Sequence, residues 1–133
     1  MDIKSAISQA LATAKVAGVR YAPAYPPENI GDYFPCLVGY TTGGVWNTIT
    51  SDFNQCLFNI ILELHVARQG DLPHEVEKAM GYSDSIPAAL LADQTLNDTV
   101  SHFESVSYTF GVLDYGDTKT LGFKFILEGV KIH

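Results

Sequence analysis

One run of alternating side chains, residues 54–67, constrains the fold of this chain more than any other feature. Every second residue of the run is apolar: Cys56, Phe58, Ile60, Leu62, Leu64 and Val66. Successive side chains of a β-strand point to opposite faces, so these residues share one face of a sheet. The other face is mixed, with Leu57, Asn59, Ile61, Glu63 and His65. The run predicts a long strand with an apolar core face and a second face that is not simply polar.

Two further alternating runs predict a hairpin at the end of the sequence. Val106, Tyr108, Phe110 and Val112 alternate with serine and threonine, and Leu121, Phe123, Phe125 and Leu127 alternate with Lys124, Ile126 and Glu128. A turn at residues 114–118 joins them. After Gly129 the apolar parity shifts to Val130 and Ile132, which predicts a bulge or a sheet edge there.

A shorter strand precedes the long one. Phe34, Cys36, Val38 and Tyr40 alternate, and Gly43–Gly44 then predicts a hairpin turn into a strand over residues 45–50. Trp46 follows this turn directly. It is either a core residue folded under the sheet or an anchor for contact with another protein, because tryptophan is favoured at such contacts.

Two regions have helical patterns. Apolar residues from Ile3 onward recur at helical spacing and predict a helix over residues 2–17, stopped by Gly18. Between the long strands, Asp71 can cap the segment "LPHEVEKAM", and Gly81 ends or interrupts it. A helix then restarts at Ser83 or Ser85 and runs through "IPAALLADQTL", with Ile86, Leu90 and Leu91 facing inward.

The order of elements predicts an α+β fold in a single domain spanning residues 1–133. We expect a mainly antiparallel sheet of four to five strands with the helices packed on one face. A proline- and tyrosine-rich stretch, "VRYAPAYPPENIGDYFP", follows the first helix. Proline restricts it to extended conformations, so it predicts an arm whose tyrosines, Tyr25 and Tyr33 among them, pack against something.

Composition narrows the function. The chain is 47% hydrophobic and 17% charged, with a net charge of −7 and eight scattered basic residues, which argues against disorder and against a surface that grips nucleic acid. Cys36 and Cys56 are the two cysteines that one disulfide bridge would need, but both lie in apolar strand patterns, which favours buried thiols. The sequence has no secretory signal and no apolar run long enough to cross a bilayer.

Few residues suggest chemistry. "HEVEK" begins like a zinc-protease motif, but Lys78 stands where the second histidine is needed. Glu63 and His65 share a strand face and form either an acid–base pair or a hydrogen-bonded pair at a half-wet face or subunit contact. We expect no catalytic residue, cofactor or metal site.

The second face of the sheet is the more informative feature. Leu57, Ile61, Leu113 and Ile126 lie there among polar and charged residues, a mixture typical of protein–protein contacts. The alternative is that a helix, such as the first one, covers this face.

The chain resembles the tail terminator, or tail-completion, proteins of long non-contractile-tailed bacteriophages. The resemblance runs through the opening helix, "GVRYAPAYPPENIGDYFPCLVGY", "GGVWNTITSDFNQCLFNIILELHVAR", "IPAALLADQTL" and "YTFGVLDYGDTKTLGFKFILEGVKI". Related neck and minor tail proteins share much of the pattern.

The resemblance implies a virion protein made in the cytoplasm of a bacterial host. Six copies would form a ring on the head-proximal end of the tail tube, stop its polymerisation and dock to the head connector or stopper protein. Genome DNA would pass through the ring without specific binding. The partners expected are therefore further copies, the tail tube protein and the connector, with no membrane and no cofactor.

Two alternatives remain open at this point: another neck or head-closure protein, and a small ligand-binding or enzymatic α+β domain with a pocket near Glu63, His65 and the last hairpin. The residues expected to make subunit or neighbour contacts lie in the arm, the Gly43–Trp46 segment, the second sheet face and the last turn. They are Tyr25, Tyr33, Gly43, Gly44, Trp46, Leu57, Ile61, Glu63, His65, Asp114, Tyr115 and Asp117.

Overall fold

The computed structural model describes residues 1–20, 22–23, 34–68, 77, 79–116 and 118–133. This part contains α1 (Ile3–Ala14), β1 (Cys36–Tyr40), β2 (Gly44–Thr50), β3 (Phe53–Arg68), α2 (Tyr82–Leu91), β4 (Ser105–Tyr115) and β5 (Thr118–Ile132). The strands form one antiparallel sheet in the order β1-β3-β5-β4, and β2 also pairs with β3. The predicted α+β fold, with its N-terminal helix and mainly antiparallel sheet, is confirmed.

β1 and β2 follow one another along the same edge of β3. β1 pairs with residues 61–65 of β3, β2 pairs with residues 53–58, and β5 occupies the other edge. The predicted hairpin turn at Gly43–Gly44 is therefore wrong. The chain keeps its direction there, and the turn lies at Ser51 and Asp52, between β2 and β3.

A side chain from β3 explains why the strand is interrupted without turning. Asn59 Oδ1 accepts a hydrogen bond from the Thr42 backbone N–H at 3.0 Å, and Asn59 Nδ2 donates to Thr42 Oγ1 at 2.7 Å. These bonds replace part of the backbone ladder at the break. Gly43 adopts φ +146°, a backbone angle that other residues rarely adopt. A Cβ on Gly44 would lie 2.6 Å from Phe58 Cβ, so only glycine allows β2 to lie this close to β3.

Both helices pack on the core face of the sheet, α1 beside β1 and α2 beside β4. α1 begins at Asp2, whose side chain caps the helix by accepting from Ser5 N–H at 2.7 Å. It ends at Ala14, before the expected residue 17. In α2, Ile86 and Leu90 are buried as predicted. Leu91 is 44% exposed, so its predicted inward orientation is wrong.

The core face has the predicted parity. The buried side chains of β3 and β5 on this face are Cys56, Phe58, Ile60, Leu62, Leu64, Val66, Phe123, Phe125, Leu127, Val130 and Ile132. The parity shift in β5 is a bulge, because Phe58 pairs with Val130 and Ile60 pairs with Leu127. Gly129 adopts φ +68° at this point, as a bulge glycine can. The predicted shift at Gly129 is confirmed.

Some predictions concern residues outside the described part. They are the arm with Tyr25 and Tyr33, the Asp71 cap and most of "LPHEVEKAM", and Asp117 in the last turn. In the part of the chain that is described, neither helix is long and apolar enough to traverse a bilayer.

Candidate functional site

The second face of the sheet is buried over part of its area within a single copy. Ile61 is 7% exposed, Glu63 8% and His65 0%. The expectation that these three residues face another copy across an open surface is wrong. We call the buried group on this face, with its neighbours in β1, the second-face cluster.

The second-face cluster spans the sheet. Cys36 and Val38 of β1 are its buried apolar members, and Phe34 and Tyr115 pack against them. Tyr115 comes from β4 at the opposite edge of the sheet, so the sheet curls toward this face. The alternative that α1 covers this face is also wrong, because α1 contacts the core face, near Leu62.

A polar network runs through the second-face cluster. The Tyr40 hydroxyl donates to Glu63 Oε2, and Glu63 Oε1 lies 3.2 Å from His65 Nε2, out of line for a full hydrogen bond. His65 Nδ1 lies 2.6 Å from Thr120 Oγ1, and the His65 and Tyr115 rings make a T-shaped contact with centroids 5.5 Å apart. Side chains from β3, β4 and β5 thus meet at His65, and Glu63 connects them to Tyr40 of β1.

The charge state of Glu63 follows from its neighbours. Burial alone would raise the pKa of this carboxyl, but His65, the Tyr40 hydroxyl and Lys124 together hold the pKa below its ordinary value. Burial, and then the hydrogen bond and charge of Glu63, raise the pKa of Tyr40. The carboxylate is therefore the charged centre of the network at neutral pH.

The reactive groups of the second-face cluster are closed off from solvent. Cys36 pairs in register with His65, but burial raises the pKa of its thiol to about 11, so it is not a thiolate at neutral pH. His65 is fully buried, which keeps a substrate from its ring. Cys36 and Cys56 are both buried, as predicted. They are also free and lie on opposite faces of the sheet, so the one disulfide bridge that the sequence leaves open is not formed.

An open groove lies elsewhere on the molecule. Its volume is about 380 Å³, and it is lined by Gly43, Gly44, Leu57, Phe58, Asn59, Glu104, Glu128 and Gly129. Glu63 and His65 do not line this groove. The pocket that the enzymatic alternative places near those two residues is therefore not this one.

The β2–β3 hairpin carries an exposed apolar surface. All seven residues of β2 are exposed, and Trp46 is 57% exposed. The structure therefore excludes the core interpretation of Trp46 and leaves that of a contact anchor. We call the exposed apolar residues of this hairpin, on both of its faces, the hairpin surface: Val45, Trp46, Ile49, Phe53 and Leu57. Trp46 pairs with Cys56 and lies on the core face, whereas Val45 pairs with Leu57 on the second face.

A second exposed apolar surface lies on β4, at the other edge of the sheet. Tyr108 is 52% exposed, Phe110 38% and Val112 50%, although all three point to the face that carries the helices. Phe110 stacks at a tilt against Phe123, with centroids 4.9 Å apart. We call these three residues the β4 surface. The sequence does not predict this exposure, because the same alternation of apolar and polar residues is typical of a strand whose apolar face is covered by a helix.

The predicted contact residues therefore separate into groups. Gly43, Gly44, Trp46 and Leu57 lie on or beside the hairpin surface, whereas Ile61, Glu63, His65 and Tyr115 belong to the second-face cluster. Asp114 is exposed at the tip of the last hairpin, 3.3 Å from Lys119 Nζ. Tyr25, Tyr33 and Asp117 are not described.

Comparison with known proteins adds no assignment: no family model matches the chain, and no curated protein is significantly similar to it. Within the described ranges, no three histidine, cysteine or acidic side chains are close enough to hold a metal ion.

Proposed function

We propose that this protein is a structural subunit of a bacteriophage virion, which forms a homo-oligomeric ring at the head-proximal end of the tail tube. The ring ends polymerisation of the tube and offers its other side to the head connector. The observation that carries the proposal is the pair of apolar surfaces at opposite edges of one sheet. A closed ring of identical subunits needs two different patches that meet head to tail.

The composition of the two surfaces supports a role in assembly. In monomeric proteins, charged residues such as lysine, or prolines, keep exposed edge strands from pairing with another chain. Neither β2 nor residues 105–113 of β4 contains a charged residue or a proline. The exposed aromatic residues, Trp46 and Tyr108, are of the types that carry most binding energy at protein interfaces.

The net charge fits a conduit for DNA. At −7, with few and scattered basic residues, the chain lacks the lysine and arginine clusters that hold phosphates. A ring of such subunits would let a polyanion pass without specific binding. Closing the ring and capping the tube are geometric acts and require no cofactor.

Electron microscopy of virus particles tests the proposal. Particles assembled without this protein should carry overlong tails that fail to join heads, and adding the purified protein to tail tubes should place a ring on one end. The control is the same tubes without the protein. Tails of normal length that remain unattached would instead assign the subunit to another joining step of the neck. Normal, infectious particles would exclude both positions.

A further inference from the structure

We infer that the hairpin surface of one copy binds the β4 surface of the next copy, through pairing of the outer edge of β2 with the outer edge of β4. The partner is a second copy of this chain, and the sheet continues from copy to copy. The inference deepens the proposed function, on which it rests for the ring itself. The contact alone can be measured in purified protein.

Strand direction supports this pairing. β2 runs antiparallel to β3, β3 antiparallel to β5, and β5 antiparallel to β4. β2 and β4 therefore run in opposite directions within one copy. When identical copies follow one another by rotation about a ring axis, β4 of one and β2 of the next meet antiparallel, as every other pair in the sheet does.

Side-chain parity supports it as well. Trp46 pairs in register with Cys56, and Tyr108 pairs with Phe125, and both partners point to the core face. In a sheet that continues between copies, Trp46 would lie on the same face as the β4 surface. The indole could then cover the exposed sides of Tyr108 and Phe110, which Phe123 and Phe125 support from within the chain.

The two surfaces expose most of the apolar area that a small specific contact needs. An aromatic side chain offers 150–250 Å², so Trp46, Phe53, Tyr108 and Phe110, exposed by 37–57%, contribute roughly 60–140 Å² each. With the half-exposed Val45, Ile49 and Val112, which extend the count to both faces of the two edges, the apolar total is roughly 500–600 Å². An interface that buries about 1,200 Å² has an apolar share of roughly 700 Å², so the two surfaces supply most of the apolar area of a small specific contact.

Charge also favours a second copy as the occupant. Two chains of net charge −7 repel one another, so a contact between them forms best where neither carries charge. The hairpin residues 44–57 contain one charge, Asp52 at the turn, and residues 105–113 contain none. A strongly basic partner would need acidic residues on the surface that it binds, and the apolar residues of these two surfaces offer it none.

Sedimentation velocity of purified variants tests the inference. Trp46→Glu and Tyr108→Glu should each weaken self-association at least tenfold, because each places a charge in one of the two surfaces. Leu91→Glu is the matched control: it adds the same charge at a site 44% exposed on α2 and should leave association unchanged. Circular dichroism checks that all three variants fold, as expected for residues at least 44% exposed.

Mixing the two defective variants gives the decisive result. The Trp46→Glu chain keeps an intact β4 surface, and the Tyr108→Glu chain keeps an intact hairpin surface. An equimolar mixture should therefore form a 1:1 dimer that grows no further, although each variant alone is monomeric. A mixture that stays monomeric overturns the inference, as do variants that associate like the wild type, or a wild type that is monomeric up to about 1 mM.

The same variants separate this inference from the proposed function. If the wild type associates through these surfaces but does not cap tail tubes, the contact stands and the virion position falls. If Trp46→Glu and Tyr108→Glu still associate and still cap tubes, the contact assigned here is wrong and the virion function stands.

Discussion

Replacing Tyr40 with phenylalanine removes one hydroxyl from the second-face cluster and keeps the aromatic ring. In the wild type this hydroxyl donates to Glu63 Oε2. The substitution tests whether Glu63 and its neighbours hold β1, β3 and β5 together, as the structure indicates, or are incidental to stability.

The magnitude follows from the environment of Glu63. A hydrogen bond to a charged group is worth about 1.5–3 kcal/mol, and its loss costs most where water cannot replace it. The Glu63 side chain is only 10% exposed, so water replaces little. We expect Tyr40→Phe to lower the free energy of unfolding by about 2 kcal/mol. For a chain of 133 residues that corresponds to a fall of roughly 7 °C in Tm.

The assay is urea denaturation followed by circular dichroism at pH 7, with Tyr108→Phe as the matched control. Tyr108 also lies in a strand but is 52% exposed, so loss of its hydroxyl should change the unfolding free energy by less than about 0.5 kcal/mol. Equal effects of the two substitutions would refute the structural role of the network.

The pH dependence provides a second readout. The folded-state pKa of Glu63 lies below its ordinary value of 4.5, so the carboxylate contributes stability that is fully present above pH 4.5 and is lost as the pH falls through the folded pKa. The Tyr40 hydroxyl is one of the groups that lower this pKa. The stability difference between wild type and Tyr40→Phe should therefore shrink below pH 4.5. A difference that does not shrink at any acidic pH at which the protein stays folded would contradict the assignment.

Three further predictions concern other parts of the fold. Leu62→Ala should lower the free energy of unfolding by about 2–5 kcal/mol, because Leu62 is fully buried. Leu57 lies on the same strand but is 41% exposed, so Leu57→Ala should change the free energy of unfolding by less than about 0.5 kcal/mol. Equal changes for the two variants in chemical denaturation would contradict the assignment of the two residues to opposite faces. Burial raises the pKa of the Cys36 thiol to about 11, so this thiol should resist alkylation at pH 8 in the native protein and react in denaturant. Mass spectrometry measures the labelling. Rapid labelling of the native protein would show that Cys36 is not buried in the second-face cluster. Gly129→Ala should lower the free energy of unfolding by roughly 1–2 kcal/mol in thermal denaturation, because Gly129 adopts φ +68°. Gly81→Ala is the control: Gly81 has φ −60° and open space around it, so the substitution should leave stability unchanged or raise it slightly. A Gly129→Ala variant as stable as the wild type would contradict the bulge.

Features determined by neighbouring residues were predictable from the sequence. The parity of β3, the presence of α1, the turn region of the last hairpin and the bulge at Gly129 each depend on a few consecutive residues and a fixed period. The buried state of Cys56 follows from the parity of β3, and that of Cys36 from the alternation of its own strand, β1.

Features determined by distant residues were not predictable. Gly43–Gly44 has a turn composition, but Asn59 bonds to Thr42 across the sheet and keeps β1 and β2 in line. His65 is buried because the sheet curls and brings Tyr115 from its opposite edge. The exposure of the β4 surface depends on where the helices end. The alternation of apolar and polar residues along β4 does not predict that position.

The buried network and the exposed edges are connected physically. Tyr115 fixes the end of β4 to the second-face cluster, and Asn59 fixes the break before β2, so both edge strands are held in place before any partner arrives. Association then orders few additional groups, and the entropy cost of pairing the edges is small. A substitution that loosens the cluster, such as Tyr40→Phe, should for this reason weaken self-association as well as folding, although Tyr40 lies outside both apolar surfaces. A loss of association in Tyr40→Phe with unchanged stability would contradict this coupling, since the residue can reach the edges only through the cluster.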